Sequence, residues 1–244
     1  MQLRSLPNIK LEIKNKLELK NKILDLSIPQ VMGVLNVTPD SFSDGGQYTQ
    51  LQHALHYAKE MVSQGASIID IGGESTRPNA TQVSIDDEIQ RVIPVVQAIS
   101  QQLDVIISVD TSTPEVMQAA VNAGAHIWND VRALTRPNAL EMAAQLDIPV
   151  ILMHMRCEPS TMNSLAHYND VTKEVIAELE QRINIALSAG IKHSNIILDP
   201  GFGFAKNAQH NLKLLNELYH LTDYFAVPWL SGLSRKRFLG EALG

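Results

Sequence analysis

Polar side chains recur at the ends of short apolar runs along this sequence. The first run, VMGVL, is followed at once by Asn36 and then by TPDSFSDGG, in which hydroxyl and carboxyl groups surround a single Phe. Ionised carboxylates accept hydrogen bonds, whereas amides both accept and donate them, so such groups could bind a polar ligand together. The residues that close the successive runs are Asn36, Asp70, Asp110, Asn129, Asp130, His154 and Asp199.

The apolar runs alternate with helical patterns, and this alternation predicts seven βα units. The helical pattern is clear in SIDDEIQRVIPVVQAI and DVTKEVIAELEQRINIAL, where apolar residues recur about once per helical turn. Strands that are apolar on both faces and are joined by helices belong in a parallel sheet covered by those helices. The predicted strands are 31–36, 67–72, 105–110, 126–131, 149–154, 195–199 and 226–231.

The positions of the polar residues favour a barrel over an open sheet. In a (β/α)8 barrel, the active site is built by the carboxyl ends of the strands and by the loops that follow them. An open doubly wound sheet would place its ligand mainly around one switch point. Because polar groups follow nearly every predicted strand, we expect an α/β fold of the TIM (β/α)8 type, with residues 1–244 forming a single domain.

Residues 1–30 precede the predicted barrel and contain the segment LEIKNKLELKNKILDL. Apolar and polar residues alternate there in steps of two, and Lys-Asn-Lys sequences separate the alternating stretches. This pattern predicts an N-terminal β-hairpin, and we expect it to close one end of the barrel.

Composition excludes several classes of protein. The 244 residues are 45% hydrophobic and carry a formal net charge of -6, with the basic residues scattered, which argues against a nucleic-acid partner. No apolar run approaches the roughly 18 to 20 residues that span a bilayer, and the N-terminus lacks the apolar region of a secretory signal. The single cysteine, Cys157, excludes an internal disulfide. We therefore expect a cytoplasmic protein without a membrane partner.

Seven segments, in order and at similar spacing, resemble the dihydropteroate synthase family over residues from about 31 to the end. The resemblance implies a TIM barrel that condenses 6-hydroxymethyl-7,8-dihydropterin diphosphate with p-aminobenzoate, assisted by Mg²⁺, in folate biosynthesis. It also implies a sulfonamide target and a homodimer. The segments are MGVLNVTPDSFSDGG, IIDIGGESTRP, ISVDTSTPEV, WNDVRAL, LMHM, ILDPGFGFAKN and GLSRKRFLG.

The positions that match the family's pterin contacts have suitable chemistry. A pterin presents its 2-amino group and N3–H as adjacent donors, and one ionised carboxylate can accept both bonds. The resemblance gives this role to Asp199 and the other contacts along the ring edge to Asp110 and Asn129. Lys236 resembles the lysine that reaches the carbonyl side of the pterin and lies near p-aminobenzoate. Taken singly, a strand-end Asp or Asn could instead cap the next helix.

Expulsion of diphosphate is the hard step, because negative charge separates from a developing cation. Mg²⁺ on the diphosphate, with Asn36 as a side-chain oxygen ligand, would stabilise that charge. Asp40 and Asp44 are candidates for outer-shell or loop ligands. The amine nucleophile is already neutral at about pH 7, so we expect electrostatics and positioning to act, without a covalent enzyme intermediate. The candidate catalytic residues are Asn36, Asp110 and Lys236.

Two loops are expected to complete the p-aminobenzoate pocket. TPDSFSDGG, after the first strand, has the small polar residues of a mobile lid and carries Phe42, which could cover a benzoate ring. GGESTRPN, after the second strand, offers Thr76, Arg77 and Pro78, which resemble the family's p-aminobenzoate contacts. Arg77 could also approach diphosphate. Lys236 completes this predicted set.

The sequence departs from the family in two places. It ends at FLGEALG, before an eighth strand that carries an Arg and a His in the family. We expect seven barrel strands, a gap between the first and the seventh, and a parent protein with roughly 30 more residues, about the size of one βα repeat. In addition, Arg237 stands where the family usually has a Ser, and it could supply positive charge or crowd the pocket.

Two other functions stay open. One is a pterin-binding module without turnover, and the other is a methyltetrahydrofolate methyltransferase-like barrel. The second is weakened by SFSDGG and STRP, which serve the diphosphate and p-aminobenzoate in the synthase. Two residues near the site have a second interpretation: His154 could be an inner-barrel residue satisfied by its neighbours, and a catalytic role for Cys157 is disfavoured because it has no demonstrable electropositive surroundings.

Overall fold

The structure, a computed structural model, describes residues 15–38, 47–74, 83–156 and 166–243. Two short antiparallel strands precede six parallel strands, which alternate with helices. The predicted α/β class is therefore confirmed. The strands are β1 (Lys16–Leu19), β2 (Lys22–Asp25), β3 (Met32–Asn36), β4 (Ile68–Gly72), β5 (Ile106–Asp110), β6 (Ile127–Asp130), β7 (Val150–Met153) and β8 (Ile196–Asp199).

Strands β3 to β8 form one parallel sheet in which chain order and spatial order are the same. Neighbouring strands lie about 4.8 Å apart, so the outer strands of a flat six-stranded sheet could not share contacts. Here one side chain from each of the six strands joins a single hydrophobic cluster, which requires the sheet to curve around that cluster as in a TIM-type barrel. The cluster members from these strands are Met32, Ile68, Ile106, Ile127, Ile151 and Ile197.

The alternate residues of each strand face outward and pack under helices. Ile69 and Ile71 of β4 are fully buried in this outer layer, which explains why the strands are apolar on both faces. The helices are α1 (Gln47–Ser63), α2 (Ile85–Gln102), α3 (Pro114–Ala123), α4 (Ala139–Leu146), α5 (Val171–Ser188), α6 (Ala208–Asn216), α7 (Leu218–Tyr224) and α8 (Arg237–Leu243).

Side-chain caps explain where two of the predicted helices begin. Ser84 Oγ accepts a 3.1 Å hydrogen bond from the backbone N–H of Asp87 at the start of α2. Asp170 caps α5 through the N–H of Lys173 in the same way. Each cap provides a partner for a backbone donor that the first helical turn leaves unpaired. None of the helices in the described ranges is both long enough and apolar enough to cross a membrane.

The N-terminal hairpin closes the base of the barrel, as predicted. β1 and β2 pair in antiparallel register, with Leu17 opposite Leu24. These two leucines and Leu19 are buried in the same cluster as the inward-facing residues near the starts of β4 to β8. The hairpin therefore covers the amino-terminal mouth, whereas the carboxyl ends of the strands lie at the opposite mouth.

The predicted seventh barrel strand, 226–231, is the main correction to the sequence interpretation. Within the described residues this segment forms one isolated parallel bridge, between Leu198 of β8 and Trp229. Leu198 N–H donates to Pro228 O at 3.0 Å, and Leu230 N–H donates to Leu198 O at 2.8 Å. Pro228 has no N–H of its own, so it cannot contribute a donor to a ladder on either side. The segment lies where a seventh strand would lie but pairs too briefly to form one.

The first parallel strand and this segment flank an apolar opening in the wall of the barrel. A cavity of about 350 Å³ is lined on one side by Met32 and on the other by Trp229 and Leu230. Val34, in the middle of β3, is 62% exposed although it occupies an inward position. No backbone pairing joins β3 to the Trp229 segment in the part of the chain that the structure describes.

Candidate active site

A row of polar residues crosses four neighbouring strands at the carboxyl end of the barrel. Asn36 is the register partner of Gly72, Gly72 of Asp110, and Asp110 of Asn129. Partners in register lie side by side on the same face of a sheet. The fold therefore brings three of the predicted site residues together, from β3, β5 and β6.

Gly72 makes room in the middle of this row. A Cβ atom built there would lie 3.6 Å from Asn36 Oδ1 and 3.7 Å from Asp110 Oδ2. The two oxygens consequently border the same space above the glycine, and any larger residue would fill it. Asn36 is exposed and Asp110 is partly buried, so both side chains are open toward this mouth.

Asp70 is a buried neighbour of the row, and the sequence interpretation placed it at a strand end without giving it a role toward substrate or metal. Its Oδ2 atom accepts a 2.9 Å hydrogen bond from Asn129 Nδ2, and only 5% of the Asp70 residue is exposed. In the described part of the chain, its Oδ1 atom forms no hydrogen bond of ordinary geometry, and neither does Oγ of Ser108, its register neighbour on β5. Burial raises the pKa of Asp70, and the polar side chains of Ser108 and Asn129 oppose that change.

Asp110 is the most electrostatically perturbed residue of the row. Burial raises its pKa well above the ordinary value, and repulsion from Asp70 and Asp130 raises the pKa further. Two neighbouring carboxylates in a poorly solvated place cannot both ionise easily. A ligand that donates hydrogen bonds or brings positive charge would therefore favour the ionised form of Asp110.

Asp199 ends β8 and is almost completely buried. Its Oδ1 atom accepts a 2.7 Å hydrogen bond from the N–H of Gly201. Burial raises the pKa of Asp199 to about 6, against the opposing effects of the Gly201 N–H and the positive charges of Lys236 and Lys206. The carboxylate can thus be ionised near neutral pH, with two lysines as its neighbouring cations.

Lys236 reaches the same end of the barrel from the turn that precedes α8. Its Nζ atom lies 4.5 Å from the centroid of the Phe204 ring, a cation–π distance. A Cβ atom on Gly203 would be 3.2 Å from Lys236 Cδ, so that glycine makes room for the lysine stem. Burial lowers the pKa of Lys236, and the charge of Asp199 opposes this.

The Arg at position 237 does not crowd this site. Its side chain is 92% exposed, and its Nε atom donates a 2.7 Å hydrogen bond to Glu241 Oε1 one helical turn later. The sequence suggested that Arg237 could add positive charge to the pocket or crowd it. The geometry supports neither role.

Asp130 belongs to the loop and not to the site. It lies next to Asn129 but on the opposite face of β6, and it accepts hydrogen bonds from the N–H groups of Arg132 at 2.9 Å and Leu134 at 2.8 Å. Ser112 also donates to it. These bonds stabilise the turn after β6. Asp130 therefore has the alternative role of a strand-end carboxylate, which is to accept hydrogen bonds from nearby backbone N–H groups.

His154 and Lys206 form a buried contact that the sequence interpretation missed. Lys206 Nζ lies 2.9 Å from His154 Nδ1, and His154 Nε2 lies 3.0 Å from Glu178 Oε2 on α5. A lysine in the segment FAKN is usually solvated, so its type alone gave no signal. The alternative of an inner histidine satisfied by its neighbours is the one that the contacts support.

All of the predicted p-aminobenzoate residues except Lys236 lie outside the described residues, and so do Asp40, Asp44 and Cys157. Residues 39–46 follow β3 in the chain and residues 75–82 follow β4, and these two strands are neighbours in the sheet. The predicted residues concerned are Phe42, Thr76, Arg77 and Pro78.

Comparison with known proteins identifies the class and then the family. A family model described as pterin binding enzyme matches residues 32–244. The dihydropteroate synthase of Haemophilus influenzae is 52% identical over 228 residues, which are 93% of this chain and 82% of the relative. The chain therefore belongs to the dihydropteroate synthase family of pterin-binding enzymes.

Solved structures agree with this assignment. A dihydropteroate synthase of Xanthomonas albilineans with 4-aminobenzoic acid superposes with a TM-score of 0.87 at 47% identity, covering 94% of this chain and 82% of that one. The Yersinia pestis enzyme in complex with a sulfonamide drug gives a TM-score of 0.88 at 49% identity, covering 93% and 82%.

Proposed function

We propose that this protein condenses 6-hydroxymethyl-7,8-dihydropterin diphosphate with p-aminobenzoate to give 7,8-dihydropteroate and diphosphate. The observation that carries the proposal is the polar row Asn36–Gly72–Asp110–Asn129 at the carboxyl end of a barrel. This is the face where barrel enzymes bind their substrates. The relatives are dihydropteroate synthases, and one of them is bound to 4-aminobenzoic acid.

Asp199 is the proposed anchor of the pterin. Its carboxylate would accept both the 2-amino group and N3–H, and burial makes this charge-assisted pair stronger than it would be in water. Asn129 and Asp110 would bind other positions along the ring edge. Within the described residues, Asn129 gives one N–H to Asp70, so its Oδ1 atom and its second N–H can bind a ligand. Lys236 would lie on the carbonyl side of the pterin and near p-aminobenzoate.

The proposed reaction is a direct displacement. The amine nitrogen of p-aminobenzoate forms a bond to the pterin methylene carbon, the bond from that carbon to the diphosphate oxygen breaks, and the nitrogen then loses a proton to solvent or to the departing diphosphate. The site residues hold the two substrates in line and stabilise the charge that develops as the diphosphate leaves. No side chain needs to form a covalent bond to substrate.

Magnesium is part of this proposal, with Asn36 as a protein ligand. In the described part of the chain, no group of three or more His, Cys, Asp or Glu side chains could hold a metal ion by itself. The oxygens of Asn36 and Asp110 beside Gly72 fit an ion that relies on substrate phosphates for its other ligands, as Mg²⁺ commonly does. When bound, Mg²⁺ would neutralise charge on the leaving diphosphate.

The p-aminobenzoate pocket is proposed to form between the loops after β3 and β4. Phe42 would cover the ring, and Thr76, Arg77 and Pro78 would border it, with Arg77 also able to approach an anionic group. What supports this assignment is the adjacency of β3 and β4, because Asn36 and Gly72, at the ends of these strands, are partners in register.

Two measurements test the function. Isothermal titration with the pterin diphosphate should show binding, and addition of p-aminobenzoate should then release diphosphate and form dihydropteroate in equal amounts. Binding without product would support a pterin-binding module. Binding of methyltetrahydrofolate with methyl transfer, and no use of p-aminobenzoate, would instead support the methyltransferase alternative.

A cytoplasmic homodimer is also proposed. Tyr219 and Tyr224 on α7 are more than half exposed, and Ile185 on the neighbouring helix α5 is 45% exposed. Apolar side chains that cluster on adjacent helices commonly pack against a second copy. Light scattering after size-exclusion chromatography should give twice the monomer mass, and a Tyr219→Glu, Tyr224→Glu double variant should reduce the mass to that of one chain.

A further inference from the structure

Lys206 is a buried lysine between β8 and α6 whose ammonium group has a full set of acceptors. Only 7% of the residue is exposed. Its Nζ atom lies 2.9 Å from His154 Nδ1, 3.0 Å from Gly201 O and 3.1 Å from Phe204 O. Burial lowers the pKa of Lys206 to about 7, against the opposing charges of Asp199 and Glu178, and matched donors stabilise the charged form. This geometry marks Lys206 as a built contact and not a solvated side chain.

His154 extends the contact from Lys206 to α5. Burial and the charge of Lys206 lower the pKa of His154 to about 4, so the imidazole is neutral at ordinary pH. With Nδ1 accepting from Lys206, the ring proton must be on Nε2, where it can be donated to Glu178 Oε2 at 3.0 Å. The backbone N–H of His154 also donates to Asp199 O at 2.9 Å, directly behind the proposed pterin anchor.

The segment that Lys206 holds has an unusual backbone. Gly201 has φ +69°, and a Cβ atom there would lie 1.9 Å from His154 O, so the segment approaches β7 too closely for any other residue. Gly203 and Ala205 also have positive φ angles, of 80° and 48°. No regular ladder stabilises such a segment, and its shape depends on the bonds that hold its carbonyl groups.

The same segment supports two groups of the candidate site. The N–H of Gly201 donates to Asp199 Oδ1 at 2.7 Å, and the Phe204 ring lies 4.5 Å from Lys236 Nζ. Lys206 binds the carbonyl oxygens of these two residues, Gly201 and Phe204, from the buried side. A displacement of the segment would therefore move the support of the carboxylate and of the ammonium together.

We propose that Lys206 is a positioning residue for pterin binding, which holds residues 200–206 against His154 so that Asp199 and Lys236 keep the geometry that the ring requires. This inference rests on the proposed function. Lys206 itself does not touch substrate, and it acts through the peptide groups that it binds. Glu178 and His154 form the outer part of the same support.

The test compares Lys206→Met, which keeps an unbranched apolar side chain one atom shorter but removes the donors, with Lys213→Met as a control. Lys213 is on the nearby helix α6, is 42% exposed at its side chain and pairs with Asp170. In the Lys206 variant, KM and Kd for the pterin diphosphate should rise about tenfold or more, the effect of losing hydrogen bonds to a charged group. KM for p-aminobenzoate should rise less than KM for the pterin diphosphate, because only Lys236 of the two supported groups is also placed near p-aminobenzoate. Every constant of the control should stay within about twofold.

Two further measurements separate positioning from general stability. In Lys206→Met, the ¹⁵N resonance of His154 Nδ1 should shift, and the His154 pKa should rise because a neighbouring positive charge is gone. A Lys206→Gln variant, which keeps two donors without the charge, should show a smaller rise in pterin KM and provides the test if the Met variant does not fold.

The outcomes are distinct. A folded Lys206→Met protein with unchanged pterin KM would overturn the inference. Equal losses for both substrates in proportion to a lower melting temperature would overturn it too, because they would indicate a purely structural lysine. If the unaltered protein itself fails to bind the pterin diphosphate, the proposed function fails instead.

Discussion

Asn129 Nδ2 donates a 2.9 Å hydrogen bond to Asp70 Oδ2, and this bond determines which end of the Asn129 amide is turned toward the site. An amide can rotate by half a turn with little change in shape, so its two ends must be distinguished by a partner. A carboxylate accepts and does not donate, which selects the amino end. Asp70 thus gives the Asn129 side chain a single orientation from beneath the polar row.

Removal of this partner should weaken pterin binding. In Asp70→Ala, the Asn129 amide can rotate, and we expect the affinity for the pterin diphosphate to fall by about 1 to 2 kcal/mol, the cost of one poorly satisfied buried group. Titration calorimetry measures the change. Asp104→Ala provides a matched control, since Asp104 is an exposed carboxylate that pairs with Lys22. Equal losses in the two variants would contradict an orienting role for Asp70.

Asp199→Asn should be more damaging. The variant keeps the shape of the side chain but can place an amino group against the two pterin donors, and we expect a loss of about 2 kcal/mol or more in pterin affinity. Asp147→Asn is the control, because Asp147 pairs with Lys192 on the surface, away from the polar row. Unchanged pterin binding by Asp199→Asn would remove this residue from the site.

Pterin binding should weaken as the pH falls through about 6. Burial raises the pKa of Asp199 from 3.8 to about 6, with the Gly201 N–H, Lys236 and Lys206 opposing the change. Below that value, the protonated carboxyl would present a donor to the donors of the ring. Calorimetric Kd values between about pH 5 and 8 should show this decrease, and Asp199→Asn should show a flatter profile. A profile that is the same in both proteins would exclude Asp199 as the titrating group.

The raised pKa of Asp199 affects the stability of the folded protein in the direction opposite to its effect on pterin affinity. Between about pH 4 and 6, the folded protein holds a proton on Asp199 that the unfolded chain releases, so the Asp199 contribution to stability falls as the pH rises. Stability and ligand affinity therefore change in opposite directions across this window. This is the usual consequence of placing an ionised group where binding needs it and folding does not.

Sulfonamides should inhibit in competition with p-aminobenzoate. A sulfonamide drug occupies the Yersinia pestis relative, which is 49% identical to this chain. Initial rates at several concentrations of both compounds should give an unchanged maximal rate and an apparent KM for p-aminobenzoate that rises with inhibitor. Inhibition that excess p-aminobenzoate cannot relieve would contradict the proposed pocket.

The strand-end positions of the site could be predicted because they follow a simple rule. Asn36, Asp110 and Asn129 each close an apolar run, and a parallel sheet brings the ends of such runs to one edge. The rule failed for Asp130, which is on the other face of β6, because faces alternate with every residue and a boundary error of one residue changes the face. The same rule also placed Pro228 inside the predicted strand 226–231, although a proline has no N–H to donate to a sheet.

Other parts of the site could not be predicted from residue type. Lys206 and Glu178 are charged residues in segments that look solvated, and they meet through His154 only after β7, β8 and α5 have packed. Asp70 stands in the middle of IIDIG, where a buried carboxylate in an apolar strand was a usable signal. Its partner Asn129 is far away in the chain, and only the strand order reveals the pair.

The hairpin at the base of the barrel has a consequence for the order of folding. A two-stranded hairpin forms locally and quickly, yet Leu17, Leu19 and Leu24 find their apolar partners near the starts of five strands spread from Ile68 to Ile197. Contacts of such long sequence separation form after the strands have aligned. We therefore expect the hairpin to dock late in folding. Before the hairpin docks, the six parallel strands would already be paired in order, and the amino-terminal mouth of the barrel would still be open to water.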